Sequence, residues 1–462
     1  MTELATTSDD GASALRPPGW TAIPRAVWPV VVGVVLAYCL QELVVPNTPT
    51  FSSVIAFAGI NILLAVSLNL VNGFAGQFSI GHAGFMAVGG YFGASIVYYG
   101  SYAIYGDFNF HGGYLSYLGS ARSTPSMPLL GGELLFLAGC ILGGLLSVAA
   151  GYLVGLPSLR LRGDYLAIVT LGFGEIVRVL LEGTPSQISP YGTLSSVDQV
   201  IVDKSSFFGL LHRVGGPQAF NGLPTYASHF WIYVWVAIVL AVAVRVKYSG
   251  YGRSLLSIRE DLVAARSIGV DVTKYNVRAF MLSAFFAGIA GVLTALYVGQ
   301  IKAGDLGFSR SFEIIIMVVL GGLGSISGAF MAAILLTFLP EVLRDPPRIY
   351  DPTVLAVIAV LALIAAVRAR HRWRVLGLIV GVCLAYELAR WGADVSGRKL
   401  SDFRMIIYAA VLVLLMILRP QGLLGVHEIW EVWPLNKLPF LRRPLRSSST
   451  ATAGAVALQE KR

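Results

Sequence analysis

The sequence predicts an all-α fold, a polytopic transmembrane helix bundle with about 10 full spans plus a broken or re-entrant segment. Three observations predict it. Hydrophobic residues make up 56% of the chain and charged residues only 13%, with a mean hydropathy of +0.72; soluble domains carry about a quarter charged residues. Apolar stretches of roughly 17 to 25 residues recur, each long enough to cross a hydrocarbon core as a helix. The 51 glycines suit close helix contacts and interrupted helices in a bundle whose backbone must be satisfied internally.

Residues 1–25 read as a polar cytoplasmic N-terminal tail, and the apolar transmembrane region runs from 26 to 425. The first span, 26–44, is retained, because no small-residue cleavage pattern follows Trp28 to Leu40. Further spans are expected at 53–72, 82–100, 130–155, 164–181, 228–246 and 279–299. A broken segment at 311–340 precedes spans at 353–368, 375–390 and 405–418, and 426–462 forms a cytoplasmic C-terminal tail. The net charge of +9 is spread over short connections, as the positive-inside rule requires, and does not form a nucleic-acid surface. Arg160 with Arg162, the run from Arg245 to Arg278, Arg368–Arg374 and Arg442–Arg446 are its clusters.

A single crossing at 311–340 would place the last two clusters outside. The stretch Leu320–Gly328, with Gly321, Gly322, Gly324, Ser325 and Ser327, interrupts a helix through glycine entropy and hydroxyl competition. If the segment enters and returns, every large basic cluster becomes cytoplasmic, at the cost of leaving Arg344, Arg348, Arg398, Lys399 and Arg404 outside.

Enzymatic chemistry finds no support. The chain has no Gly-x-x-x-x-Gly-Lys-Ser/Thr loop, no His-Glu-x-x-His and no nucleophile in a strand-turn-helix context. Cys39, Cys140 and Cys383 lie in apolar segments without ligand spacing and read as structural thiols, so no metal or cofactor is expected in this chain.

Transport asks instead for a polar pathway and breaks in helices. In Asn69–Phe85, Gly73, Gly76, Gly81 and Gly84 permit a tight break whose freed N–H groups suit a carboxylate. Asn69, Asn72, Gln77, Ser79 and His82 either contact a solute or satisfy one another and the backbone of the turn. In Arg160–Arg178, Glu175 and Arg178 share a helix face and are costly in a bilayer unless paired or facing water. They form a structural ion pair or line a gate, with Thr170 tying helices nearby. Glu313 opens the broken segment, and Gly321, Gly322 and Gly324 mark either tight packing or a gate.

The region 248–278 interrupts the apolar sequence with a short amphipathic helix. From Ser254 to Ile268, Leu255, Ile258, Leu262 and Ala265 recur at helical spacing, with Arg259, Glu260, Asp261 and Arg266 between them and Gly269 as a C-cap. A helix lying passively at the lipid surface is one reading. Mixed charges beside an apolar stripe favour docking into a protein groove.

The segments Asn69–Phe85, Leu159–Arg178, Gly252–Gly291, Ser311–Arg344 and Arg419–Gly425 together resemble the LivM family, permeases of bacterial branched-chain amino acid ABC importers. The resemblance implies a multi-pass protein of the bacterial cytoplasmic (inner) membrane that forms a pathway with a LivH-like permease. It also implies two cytoplasmic LivG/LivF-like ATPase subunits that bind ATP and Mg, and an extracytoplasmic solute-binding protein. Gly252, Arg253, Ile258, Arg259, Glu260, Asp261, Ala264, Ala265 and Gly269 fall in the region that docks on an ATPase. The implied substrate is a small amino acid (leucine, isoleucine or valine). Urea, short amides or other amino acids are the alternative, with a stand-alone secondary transporter or a membrane scaffold behind them. The chain departs from the family pattern at 101–126, at 182–227 and in an apparent inserted hairpin at 347–403.

Overall fold

The computed structural model describes residues 30–44, 51–106, 108, 132–158, 164–188, 207–342, 413, 422–425 and 427–429. Helices dominate them. An apolar α1 (Val30–Glu42) runs into a π-turn at Leu40–Val44, and α2 (Ser52–Asn69) continues as a π-turn through Leu70–Phe74. Next come α3 (His82–Tyr105), α4 (Glu133–Ser158), α5 (Asp164–Glu182) and α6 (His229–Tyr248). Two short helices, α7 (Gly250–Glu260) and α8 (Leu262–Ser267), precede the long α9 (Val272–Val298). Finally α10 (Phe308–Gly321) and α11 (Ile326–Val342) flank a break. Among the described residues the only sheet is a two-stranded antiparallel pair, β1 (Phe220–Asn221) with β2 (Gln300–Ile301).

Four of the described helices are long and apolar enough to cross a membrane: Ser52–Phe74, Glu133–Leu156, His229–Tyr248 and Val272–Val298. The expected spans at 82–100 and 164–181 also form helices, yet fall outside that set. Glycines and tyrosines dilute α3, and Glu175, Arg178 and Glu182 dilute α5. The segment expected at 279–299 starts earlier than its apolar run, because the Asp271 side chain accepts from the Lys274 N–H and caps α9. The spans expected at 353–368, 375–390 and (apart from Val413) 405–418, the 347–403 hairpin, the 1–25 tail and Arg160, Arg162 and Arg368–Arg374 lie outside the described residues.

The core centres on α2, whose spanning segment is almost entirely buried, and on α9, most of which is buried. Glycine lets α9 lie directly on α3 and α4. A Cβ at Gly291 would sit 2.0 Å from the Met86 carbonyl, and one at Gly288 would meet the Ser147 hydroxyl at 2.3 Å. Ser147 donates to the Phe85 carbonyl, tying α4 to α3 (2.9 Å). Such small-residue contacts substitute for the hydrophobic driving force that lipid removes.

The break in the expected 311–340 segment falls at 322–325, between α10 and α11. Arg310 on one arm and Thr337 on the other both hydrogen-bond to Asn61 of α2 (2.7 and 2.8 Å), so the arms double back as a hairpin. Its tip meets Asn69 and Gly73 at the end of α2. That end of the bundle also carries α7 and α8.

Candidate functional site

Two interrupted segments enter the bundle from opposite ends. At the α7–α8 end, α2 finishes at Phe74 and the chain turns back inward, with the Gln77 N–H donating to the Val71 carbonyl (3.1 Å). Gly76 supplies the left-handed turn (φ 66°). When α3 begins at His82, its Nε2 lies 2.9 Å from the Ser67 hydroxyl. The Ser67 hydroxyl also lies within hydrogen-bond distance of the Leu64 carbonyl (2.9 Å). Helical rise puts Ser67 about 10 Å inside the end of α2. From the other end, β2 and a 3-10 turn (Ala303–Leu306) descend beside α3, where Tyr91 donates to the Ile301 carbonyl. The following helix, α10, therefore starts level with Asn61, near the middle of the Ser52–Phe74 span.

The two helix starts meet: the Ala83 N–H donates to the Ser311 hydroxyl (3.3 Å). Side chains also take N–H groups in the turn before α3 and at the start of α10. Asn72 Oδ1 accepts from the Ser79 N–H (3.1 Å), and Thr170 Oγ1 accepts from the Ile80 N–H (3.1 Å) while donating to the turn before it. Glu175 Oε1 accepts from the Phe308 N–H at the start of α10 (3.0 Å), which places a carboxylate at the positive end of that helix. Asn72, Ser79, His82 and Thr170 are thus brought together as a self-satisfied turn. Gln77 is half-buried, and its Oε1 lacks a partner among the described residues.

Glu175 and Arg178 pair on α5 as the spacing predicts, and Arg178 also reaches Glu182 (both 2.7 Å). Nearby, Arg310 pairs with Glu313 (2.7 Å), whose side chain is more than half exposed. Phe78, Phe308 and Phe312 stand exposed on the surface beside these ions. An ionised group at this depth is costly against hydrocarbon, so this face belongs against water or protein.

The region 248–278 folds as two helices where the apolar spacing suggests one. Asp261 adopts an extended conformation and its carboxylate caps α8, accepting from the Val263 and Ala264 N–H groups (2.8 and 3.0 Å). Gly269, in the left-handed conformation (φ 86°), follows the end of α8. Gly252 lets α7 fold against the end of α6, since a Cβ there would be 2.0 Å from the Val246 carbonyl. Ile258 and Ala265 turn inward and pack with Val272. Tyr251 stacks on Tyr275 and donates to its carbonyl (2.9 Å); burial pushes its phenol up to about 12. Arg253, Glu260, Asp261, Ala264 and Gly269 are exposed, alongside Val263 (70%) and Ile268 (75%).

Arg259 does not face outward with them. Its Nη1 donates to the Gly73 carbonyl at the end of α2 (2.7 Å) and reaches the Leu323 carbonyl of the hairpin tip (3.5 Å). Gly76 and Gly324 leave room for it: a Cβ at either would lie within 3 Å of its side chain. The same tip is stapled by Asn69, which accepts from the Gly324 N–H and donates to the Ser325 carbonyl (2.9 and 3.0 Å). Gly321 allows close return of α11, and Gly322 and Gly324 take positive φ (109° and 93°).

The family described as "Branched-chain amino acid transport system / permease component" matches residues 50–366, more than half of the chain. The chain belongs to this family. It is 36% identical over 299 residues to the high-affinity branched-chain amino acid transport system permease protein LivM of Salmonella typhimurium, covering 62% of each chain. A probable LivM of Methanocaldococcus jannaschii is 27% identical over 298 residues, 61% of this chain and 78% of the relative. The corresponding LivH of Escherichia coli is 26% identical over 220 residues, 47% of this chain and 54% of the relative. The chain thus spans 62% of the length of the bacterial LivM relatives. No solved structure matches it.

Several residues of this permease-family site escape sequence reading. Asn61 and Ser311 join α2, α3 and α10, while Lys247 and Glu428 meet at the hairpin tip. Asn61 had a signal, as an amide in the middle of the apolar run 53–72, well before Asn69 and Asn72. Glu428 had none, lying beyond the last apolar stretch.

Proposed function

We propose that the chain is the membrane permease subunit of an ATP-driven importer of branched-chain amino acids. It works in a bacterial cytoplasmic membrane, beside a LivH-like permease that completes the pathway. The observation that carries the reading is the mid-depth face of α5 and α10. There Glu175, Arg178, Arg310 and Glu313 stand partly exposed beside two helix starts that meet inside the bundle. Charges at that depth fit a hydrated half-pathway closed by a second permease better than they fit lipid.

The exposed Val263 and Ile268, set among Glu260, Asp261, Ala264 and Arg266, supply the surface for a cytoplasmic ATPase. Two such subunits bind ATP and Mg, and this chain is the non-catalytic subunit they drive. An extracytoplasmic binding protein delivers the solute. Arg259 passes the motion on, because it holds the end of α2 and the hairpin tip at once.

The test is uptake of leucine, isoleucine and valine by proteoliposomes holding this chain, the second permease, both ATPases and the binding protein. ATP-dependent uptake that falls on omitting this chain supports the proposal. Uptake by this chain alone without ATP would establish a secondary transporter instead, and preferential uptake of urea or short amides would overturn the substrate class.

A further inference from the structure

The segment 422–429 does something that no span or docking helix accounts for: it closes both open helix ends at the hairpin tip. The Leu423 and Leu424 N–H groups donate to the Leu320 and Gly321 carbonyls, the last of α10 (2.7 and 3.3 Å). The Glu428 carboxylate accepts from the Ile326 and Ser327 N–H groups, the first of α11 (3.0 and 2.9 Å). Ser325 and Ser327 complete the wrap, Ser325 donating to the His427 carbonyl and Ser327 accepting from the Ile429 N–H. Helix ends leave such groups without intrahelical partners, so one short segment satisfies two of them at once.

The Glu428 side chain has no exposure, and its counter-ion is Lys247 in the last turn of α6. Lys247 also donates to the Gly324 carbonyl (2.9 Å) and lies 5.8 Å from the centre of the Phe74 ring at the end of α2. It stands just before Gly250, where α7 begins. A displacement of α7 therefore reaches the tip by two cations: Arg259 on the Leu323 carbonyl, and Lys247 on the Gly324 carbonyl and on Glu428.

We infer that Lys247 and Glu428 are positioning residues of a latch, by which the 422–429 segment makes the hairpin tip move as one body with the root of α7. The role in transport rests on the permease reading; the latch does not. Since the carboxylate caps α11 as well as pairing with Lys247, exchanging the two charges does not rebuild it, because an ammonium at 428 accepts no N–H.

The experiment combines hydrogen exchange of the full chain in lipid nanodiscs with uptake and ATP hydrolysis by the reconstituted complex. In Glu428→Ala the Ile326 and Ser327 amides should exchange roughly tenfold faster. ATP hydrolysis should persist while leucine uptake per ATP falls about tenfold. Lys247→Met should give the same uncoupling. The exchange of charges, Lys247→Glu with Glu428→Lys, should restore neither protection nor coupling. Should Glu428→Ala fail to insert, Glu428→Gln keeps one acceptor oxygen and should deprotect one of the two amides. Unchanged protection in these variants overturns the latch, as does full recovery by the charge exchange, which would reduce it to an ion pair. If the wild-type complex shows no ATP-driven uptake, the permease reading fails while amide exchange still decides the latch.

Discussion

Asn69 provides a quantitative test of whether the break region holds structure or solute. Its fully buried amide accepts from the Gly324 N–H at 2.9 Å and donates to the Ser325 carbonyl at 3.0 Å. Asn69→Ala removes both bonds and strands the Gly324 N–H, whereas the Ser325 carbonyl keeps the Ala329 N–H at 3.1 Å. Hydrogen bonds within membrane bundles average about 0.6 kcal/mol and reach about 1.7, whereas a stranded buried group in a soluble core costs about 1–3. The tip lies at the end of the bundle, where water relieves part of the penalty, so the two losses together should cost about 1–3 kcal/mol. Asn69→Asp keeps the acceptor for Gly324 but turns a carboxylate oxygen toward the Ser325 carbonyl, and should be at least as damaging. Reversible unfolding in mixed micelles measures the loss, and uptake against leucine concentration measures function. The expected pattern is lower stability with the KM of the folded fraction unchanged. A stability change under about 0.5 kcal/mol with a raised KM would refute the reasoning and put Asn69 on the solute.

Four further outcomes follow from the same geometry. Gly291→Ala forces a methyl against the Met86 carbonyl and should cost about 1–3 kcal/mol, whereas Gly172→Ala, whose Cβ meets nothing within 4 Å, should be neutral in the same unfolding assay. Val263→Asp and Ile268→Asp should weaken co-purification of the ATPases without changing the thermal midpoint; Ile258→Asp, buried against Val272, should lower that midpoint. Thr170→Val removes the acceptor of the Ile80 N–H and should cost about 1 kcal/mol, with faster exchange at that amide. For Glu428, burial pushes the carboxyl up, but the Lys247 ammonium and donors from Ser327 and Ile326 outweigh it and hold it below the usual carboxylate range. A depressed carboxyl stabilises the fold above its unfolded value and loses that contribution as pH falls through the folded value. The stability gap between wild type and Glu428→Gln should therefore be full at neutral pH and close in acid below about 4.5.

Most of the helical framework was legible because a bilayer leaves a chain few choices. Apolar length alone located α2, α4, α6 and α9, and glycine with serine located the break at 322–325. Local polar chemistry was harder to place. The spacing of Leu255, Ile258, Leu262 and Ala265 reads as one helix, yet Asp261 caps a second one, because a short carboxylate competes for N–H groups wherever the backbone can extend. Arg259 looked like a docking charge, and only the tertiary fold shows that its helix turns it toward Gly73 and Leu323. Glu428 was illegible altogether: its partners lie about a hundred positions or more away, and no local periodicity records them.

The positions of these polar groups explain why the breaks use glycine rather than proline. At the tip, carbonyls must turn outward to receive Arg259 and Lys247, and N–H groups must turn toward Asn69 and Glu428. Proline would remove one of those donors and forbid positive φ, whereas Gly322 and Gly324 adopt φ of 109° and 93° without a side chain in the way. The cost is entropy, because glycine loses more conformational freedom on ordering than any other residue. A tip made this way is therefore held by its partners more than by its own backbone. Loosening Arg259, Lys247 or Glu428 should free it in place, while the flanking helices, anchored by Asn61 at mid-depth, keep their packing.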